Sequence, residues 1–156
     1  DAALGSRNQP QYLQLWNNSI DPDGASLLGD AMGSLTKLQV FGLSGKNIGD
    51  NVATEIAPAL GKMTQLKELY FSNNTIGDEG AAALAPALGK LTQLKVLDLS
   101  YNGIGDEGVS ALAPALRMMT KLKELSLSHN SFREGAEALA PAIAMMTELQ
   151  QLDLCD

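Results

Sequence analysis

Leu94-Lys-Val-Leu-Asp-Leu99, followed by Asn102 and Ile104, is one instance of a phrase that recurs along the chain. Leu38-Gln-Val-Phe-Gly-Leu43, Leu66-Lys-Glu-Leu-Tyr-Phe71 and Leu122-Lys-Glu-Leu-Ser-Leu127 fall on the same frame, each start 28 residues after the last (66−38, 94−66, 122−94). A further copy begins at Leu149, 27 residues on, and ends in Leu152-Asp-Leu154; an earlier one places Pro10, Leu13 and Leu15 on the frame. Asn and then Ile or Phe close the phrase at Asn18/Ile20, Asn74/Ile76, Asn102/Ile104 and Asn130/Phe132, whereas the second copy has Lys46 in the Asn slot with Asn47 beside it. Within each phrase the apolar residues alternate with period two, so they share one side of a short strand. Self-similarity at a fixed period of this length is the mark of stacked structural units.

Between phrases the pattern changes to that of a helix. Asp78-Glu-Gly-Ala-Ala-Ala-Leu-Ala-Pro-Ala-Leu88 places Leu84, Leu88 and Leu91 on one stripe, with Asp78 expected as its N-cap and Gly89-Lys90 as its stop. Corresponding helices are expected to start near Asp50 and Asp106, these aspartates being repeated as helix starts rather than as metal ligands. Pro58, Pro86, Pro114 and Pro141 recur inside the helices, where Asp30 stands in the first unit. Each removes one helical N–H and is expected on the solvent side, bending the helix or starting a second short turn. A strand with a returning helix cannot bury its own apolar face, so the units must stack, strands forming a parallel sheet and helices an outer layer. The column Asn18, Asn74, Asn102 and Asn130 is then expected to hydrogen-bond backbone groups in the turn leaving each strand, Lys46 interrupting it.

The pattern L-x-x-L-x-L-x-x-N-x-I resembles the leucine-rich repeat, and its 28-residue spacing with a full helix per unit is similar to the ribonuclease-inhibitor-like class of that family. The resemblance implies an α/β fold, a curved solenoid with a parallel sheet of about six short strands on its concave face and helices on its convex face. It covers residues 1–156 as one domain of about five repeats with partial terminal units. Asp1-Ala-Ala-Leu4-Gly5 aligns with Ala85-Pro-Ala-Leu88-Gly89, so the reading predicts a longer array, or a last strand that a partner covers. Arg7 and Pro10 replace core leucines at the first junction, as a modest cap would; Leu149, Leu152 and Leu154 carry no such softening. Met118 and Met145 occupy the helix-end slot held elsewhere by Ser34, Lys62 and Lys90, and are expected to form a small exposed apolar patch.

Length and composition agree with one folded unit. The chain has 156 residues, with 45% hydrophobic and 4% aromatic content, so aliphatic side chains must fill its core. A net charge of −7 argues against nucleic acid and against an anionic membrane surface, and no window is apolar enough to insert. The single cysteine, Cys155, excludes an internal disulfide and fits a cytoplasmic site of action. Motifs for chemistry fail in turn. His129 is the only histidine, so a His-based metal site cannot be assembled. Asp21-Pro-Asp23-Gly24 lacks the third oxygen ligand and the distal Glu of a calcium loop and reads as an ordinary Asp/Gly turn. Ser44-Gly45-Lys46-Asn47 lacks the first glycine and the Ser/Thr of a phosphate-cradling loop. Asn17-Asn-Ser19 and Asn73-Asn-Thr75 match the glycosylation sequon only because the repeat's own Asn follows another Asn. The sequence offers no enzyme, no cofactor and no metal.

The informative positions are those that point out of the strands: Tyr12, Gln14, Trp16, Asn17; Val40, Gly42, Ser44, Gly45; Glu68, Tyr70, Ser72, Asn73; Val96, Asp98, Ser100, Tyr101; Glu124, Ser126, Ser128, His129; Gln151, Asp153, Cys155, Asp156. All three Tyr, the only Trp and the only His fall in this set, while Phe41, Phe71 and Phe132 fall at core positions. Amphipathic aromatics are favoured at interface centres, and Glu68, Asp98, Glu124 and Asp153 form an acidic column that would steer a basic partner. The expectation is a non-enzymatic module that binds a protein on its concave face through Tyr12, Gln14, Trp16, Asn17, Glu68, Tyr70, Asn73, Asp98, Tyr101, Glu124, His129 and Asp153. The resemblance implies the same surface, since such solenoids are generally protein-recognition scaffolds. Two other readings are a structural segment that self-associates or continues through its C-terminal strand, and an extracellular receptor fragment carrying glycans at Asn17 or Asn73.

Overall fold

The computed structural model describes residues 10–15, 19–45 and 47–156; Trp16, Asn17, Asn18, Lys46, and Arg7 with the rest of the first nine residues lie outside it. Strands and helices alternate strictly: β1 (Tyr12–Gln14), α1 (Pro22–Met32), β2 (Val40–Gly42), α2 (Asp50–Leu60), β3 (Glu68–Tyr70), α3 (Asp78–Leu88), β4 (Val96–Asp98), α4 (Asp106–Leu116), β5 (Glu124–Ser126), α5 (Ala136–Met145) and β6 (Gln151–Asp153). The six strands form one parallel sheet in sequence order. Its register is the repeat frame: Leu13, Phe41, Leu69, Leu97, Leu125 and Leu152 stand opposite one another across the sheet.

Packing follows from the two periodicities. The inward strand residues Leu69 and Leu97 and the helix stripe Leu84, Leu88 and Leu91 are fully buried against each other's layer. Phe41 and Phe71 meet edge to face at 6.1 Å, filling with two rings what leucines fill elsewhere. Parallel strands space at about 4.8 Å, whereas packed helices need about 8–10 Å. One strand and one helix per repeat therefore force the helical layer to be the longer, and the sheet becomes the concave side. Alanine-rich helices keep that difference small enough for neighbours to remain in contact.

The prolines sit at exposed helix positions, and each of α2 to α5 runs through its proline as one helix rather than breaking into two. Gly89 ends α3 with right-handed geometry (φ −62°), so its glycine is not used for a left-handed cap, and Arg117 takes the same position after α4.

The helix starts differ from the sequence expectation. Asp50, Asp78 and Asp106 are the first residues of their helices, not the caps; the caps are Gly49, Gly77 and Gly105, which offer no side chain. Each carboxylate instead reaches the next repeat. Asp50 Oδ1 accepts from the backbone N–H of Gly77 (2.8 Å) and Gly80 (2.7 Å), and Asp78 Oδ1 from Gly105 (2.7 Å) and Gly108 (2.9 Å). Asp106 Oδ1 accepts from Arg133 and Gly135, both at 2.7 Å. One repeat thus satisfies the orphan N–H groups that open its neighbour's helix. The clamp also explains why glycine recurs beside it: a Cβ at Gly108 would lie 2.5 Å from Asp78 Oδ1. Val52 is tolerated at the matching place in α2 because Pro22, not an aspartate, precedes it by one repeat. Asp21 alone caps its own helix, its Oδ1 accepting from Gly24 N–H at 2.6 Å, so the Asp/Gly turn is a helix start.

Candidate functional site

The strand exits are built on asparagine. Asn102 Nδ2 donates to the carbonyls of Phe71 (3.0 Å) and Leu99 (3.1 Å), and its Oδ1 accepts from Ile76 N–H (3.1 Å). Asn74 bonds Leu43, Phe71 and Ile48 in the same way, and Asn130 bonds Leu99, Leu127 and Ile104. These buried amides fix the turn that carries each strand's outer residues to the surface; Asn18 lies outside the described residues.

One residue before each ladder slot, which Lys46 takes in the second repeat, the backbone turns left-handed, at Gly45 (φ 69°), Asn73 (57°), Tyr101 (53°) and His129 (54°); in the second repeat Asn47 is left-handed as well (54°). Gly and Asn accept that conformation readily and His is tolerated there, whereas Tyr adopts it at a cost. Tyr101 and His129 nevertheless occupy it, and their rings stack with centroids 4.1 Å apart and planes 16° from parallel. Tyr101 remains 53% exposed. This strained pair carries no signal in residue preference; only the column it shares with Gly45 and Asn73 points to it.

The rest of the exposed sheet face is ordered by the register. One column reads Tyr12, Val40, Glu68, Val96, Glu124, Gln151, and the next Gln14, Gly42, Tyr70, Asp98, Ser126, Asp153. The four carboxylates expected as a single column therefore divide: Glu68 and Glu124 lie two strands apart in one, Asp98 and Asp153 two strands apart in the other. Tyr12, Gln14, Asn73, Glu124, His129 and Asp153 are exposed, and Glu68, Tyr70 and Asp98 half-buried. Val40, Gly42, Ser44, Ser100 and Ser128, counted as outward positions in the sequence, are buried. Trp16 and Asn17 lie outside the described residues.

Polar groups on this face hold one another in place. The Tyr70 hydroxyl donates to Glu68 Oε2 at 2.8 Å. Burial, then this hydrogen bond and the charges of Glu68, Glu124 and Asp98, push its pKa up to about 12. Asp98 Oδ1 accepts from Ser100 Oγ (2.6 Å) and its N–H (3.0 Å). Tyr70, Val96, Asp98, Glu124 and Asp153 line a shallow hollow of about 200 Å³. A column that the outward-position count leaves out also appears: Lys67, Lys95 and Lys123 stand side by side at the strand starts, joined by Lys95 N–H to Lys67 O (2.7 Å) and Lys123 N–H to Lys95 O (2.8 Å). The signal was present in the phrase itself, in the residue after its first leucine. Along the chain the strands thus run from lysines where they begin, through carboxylates, to the aromatic pair where they leave.

At the far edge, β6 is exposed throughout, with Leu152 42% accessible, and Met118 and Met145 lie half in solvent at the ends of neighbouring helices. Among the described residues no helix is long and apolar enough to cross a membrane.

Family models described as leucine-rich repeat match residues 62–85, 90–113 and 121–141, each match joining a strand to its helix on the frame described above. These stretches are leucine-rich repeats, and the strand–helix solenoid they build is the leucine-rich repeat fold. No curated protein sequence matches it. Leucine-rich solved structures share its fold. One is the actin-binding site 2 of leiomodin-1, with TM-score 0.65 and 17% identity over 94% of this chain and 85% of that one. Another is the tropomodulin C-terminal domain of Caenorhabditis elegans, with TM-score 0.65 and 13% identity over 94% and 90%. Internalin C2 of Listeria monocytogenes follows, with TM-score 0.51 and 16% identity over 94% and 80%. At such identities the likeness of this leucine-rich repeat chain to them is one of fold.

Proposed function

We propose that this chain is a non-enzymatic recognition module of the ribonuclease-inhibitor-like class, binding a protein partner on its concave sheet. The observation that carries the reading is the sorting of residues: Tyr12, Tyr70, Tyr101 and His129 stand on the sheet's outer face with four carboxylates, while Phe41, Phe71 and Phe132 are buried. Tyrosines supply contact area at low entropy cost, Tyr70 with its hydroxyl held by Glu68, and staggered carboxylates favour a basic surface. An intracellular site of action accompanies this reading.

A capture experiment tests it. Wild type and a Tyr12→Ala/Tyr70→Ala/Tyr101→Ala variant are used side by side as bait, and bound proteins are compared by mass spectrometry. A protein retained only by wild type supports the face; equal retention by both overturns it. Purified actin is the first defined candidate to add, because the leiomodin-1 domain of similar fold is an actin-binding site.

A second reading rests on the exposure of Leu152, together with that of Met118 and Met145 at helix ends: self-association through β6. Sedimentation at micromolar concentration, lost in Leu152→Asp, would support it; a monomer at all concentrations would remove it.

A further inference from the structure

We propose that the Tyr101–His129 pair is a stacking platform for an arginine side chain of the partner protein. The inference rests on the recognition reading above and assigns one residue chemistry to one place on the face.

Two exposed rings ride on left-handed backbone, at φ 53° and 54°, which a tyrosine disfavours, although Gly45 and Asn73 show that smaller residues serve the same turn. Exposed as they are, they add little to the core. Retained strain of this kind is a mark of functional positions. The rings stack nearly parallel at 4.1 Å, a distance close to the repeat spacing of the sheet, so their planes stand across the solenoid axis. One face of Tyr101 is covered by His129. The stack leaves the other face uncovered, and Tyr101 is 53% exposed.

Charge selects the occupant. Tyr101 and His129 stand six residues beyond Lys95 and Lys123, at the opposite end of the strands, with Asp98, Glu124 and Asp153 between. On the His129 side of the pair, Asp156 and Arg133 line a hollow together with His129. A planar, weakly hydrated guanidinium stacks on an aromatic face and keeps its N–H groups free for carboxylates, which a lysine ammonium does less well. An anionic occupant would face the carboxylates.

The test is a titration of the isotope-labelled chain with a blocked hexa-arginine peptide, its lysine counterpart and its citrulline counterpart, followed residue by residue in NMR spectra. The arginine peptide is expected to shift Asn73, Tyr101 and His129 and to bind about five- to tenfold more tightly than the lysine peptide. The citrulline peptide should leave those signals in place. Tyr101→Asn, which keeps the backbone that Asn73 shows to be compatible, should remove the arginine preference. Shifts spread over the acidic surface without Tyr101, equal binding of arginine and lysine, or equal binding of citrulline would each overturn the assignment. If the arginine peptide fails while the tyrosine variant still loses its partner in the capture experiment, the platform falls and the recognition face stands. If both fail, the face falls too.

Discussion

The helix starts and the strand exits solve repeated backbone problems in opposite ways. At the helix starts the same residues make the same bonds: Asp50, Asp78 and Asp106 each accept two N–H groups from the next repeat. At the strand exits the backbone is constant, but the residue riding on it changes from Gly45 to Asn73 to Tyr101 to His129. Where chemistry repeats with geometry, the residue belongs to the architecture. Where geometry repeats and the side chain changes, the architecture does not explain the choice, and the proposed binding face would. The asparagine ladder sits one residue away from the variable column and behaves like the helix starts.

That contrast can be broken by substitution. The largest effect is expected at Asn102→Ala, which strands the buried carbonyls of Phe71 and Leu99 and the N–H of Ile76. Urea unfolding should show a loss of about 2–4 kcal/mol. A loss below about 0.5 kcal/mol would mean the ladder is incidental, since surface changes are of that size.

Gly108→Ala comes next. Its new methyl would meet Asp78 Oδ1 at 2.5 Å and Ile104 Cγ2 at 2.8 Å, so the clamp must open. The expected cost is about 1–3 kcal/mol. Asp78→Ala alone should cost about 1 kcal/mol as a lost cap. In the double variant the two costs should fall short of additivity, because Val52 shows that a side chain is accepted there when no carboxylate stands behind it. Strict additivity in the double-mutant cycle would contradict the clamp.

A smaller effect depends on pH. The backbone N–H groups of Gly135 and then Arg133 hold the Asp106 carboxyl below the ordinary value of 3.8. A depressed folded value means the stabilisation is present above the unfolded value and is lost as pH falls through the folded one. Wild type and Asp106→Ala should therefore differ in thermal midpoint at pH 5 and converge below pH 3.8. A gap that stays constant down to the lowest pH would rule out the carboxylate as its source.

Much of the fold was legible because a period repeated five times leaves few alternatives: strand frame, helix limits at Asp78–Leu88, and the buried leucines all follow from it. The bonds between repeats were less so. Asp78 reads as a cap for the helix it opens, and only the stacking distance between units brings it to the next one. The site was legible by residue type and not by arrangement. Tyr70 and Glu68 are two positions apart in any strand, but their hydrogen bond depends on side-chain torsions that no spacing encodes. The division of the acidic column into two follows from register, and the left-handed Tyr101 runs against the preferences on which such reading relies.

The smallest expected change in stability gives the most direct test. Tyr101→Asn, measured beside wild type for both urea unfolding and retention of the captured partner, exchanges a strained ring for a residue that Asn73 shows to fit the same turn. Relief of strain and loss of stacking oppose each other, so stability should move by less than about 1 kcal/mol, while partner binding weakens by more than about 1 kcal/mol. A variant that unfolds early but still holds the partner would make Tyr101 an architectural residue and contradict the account.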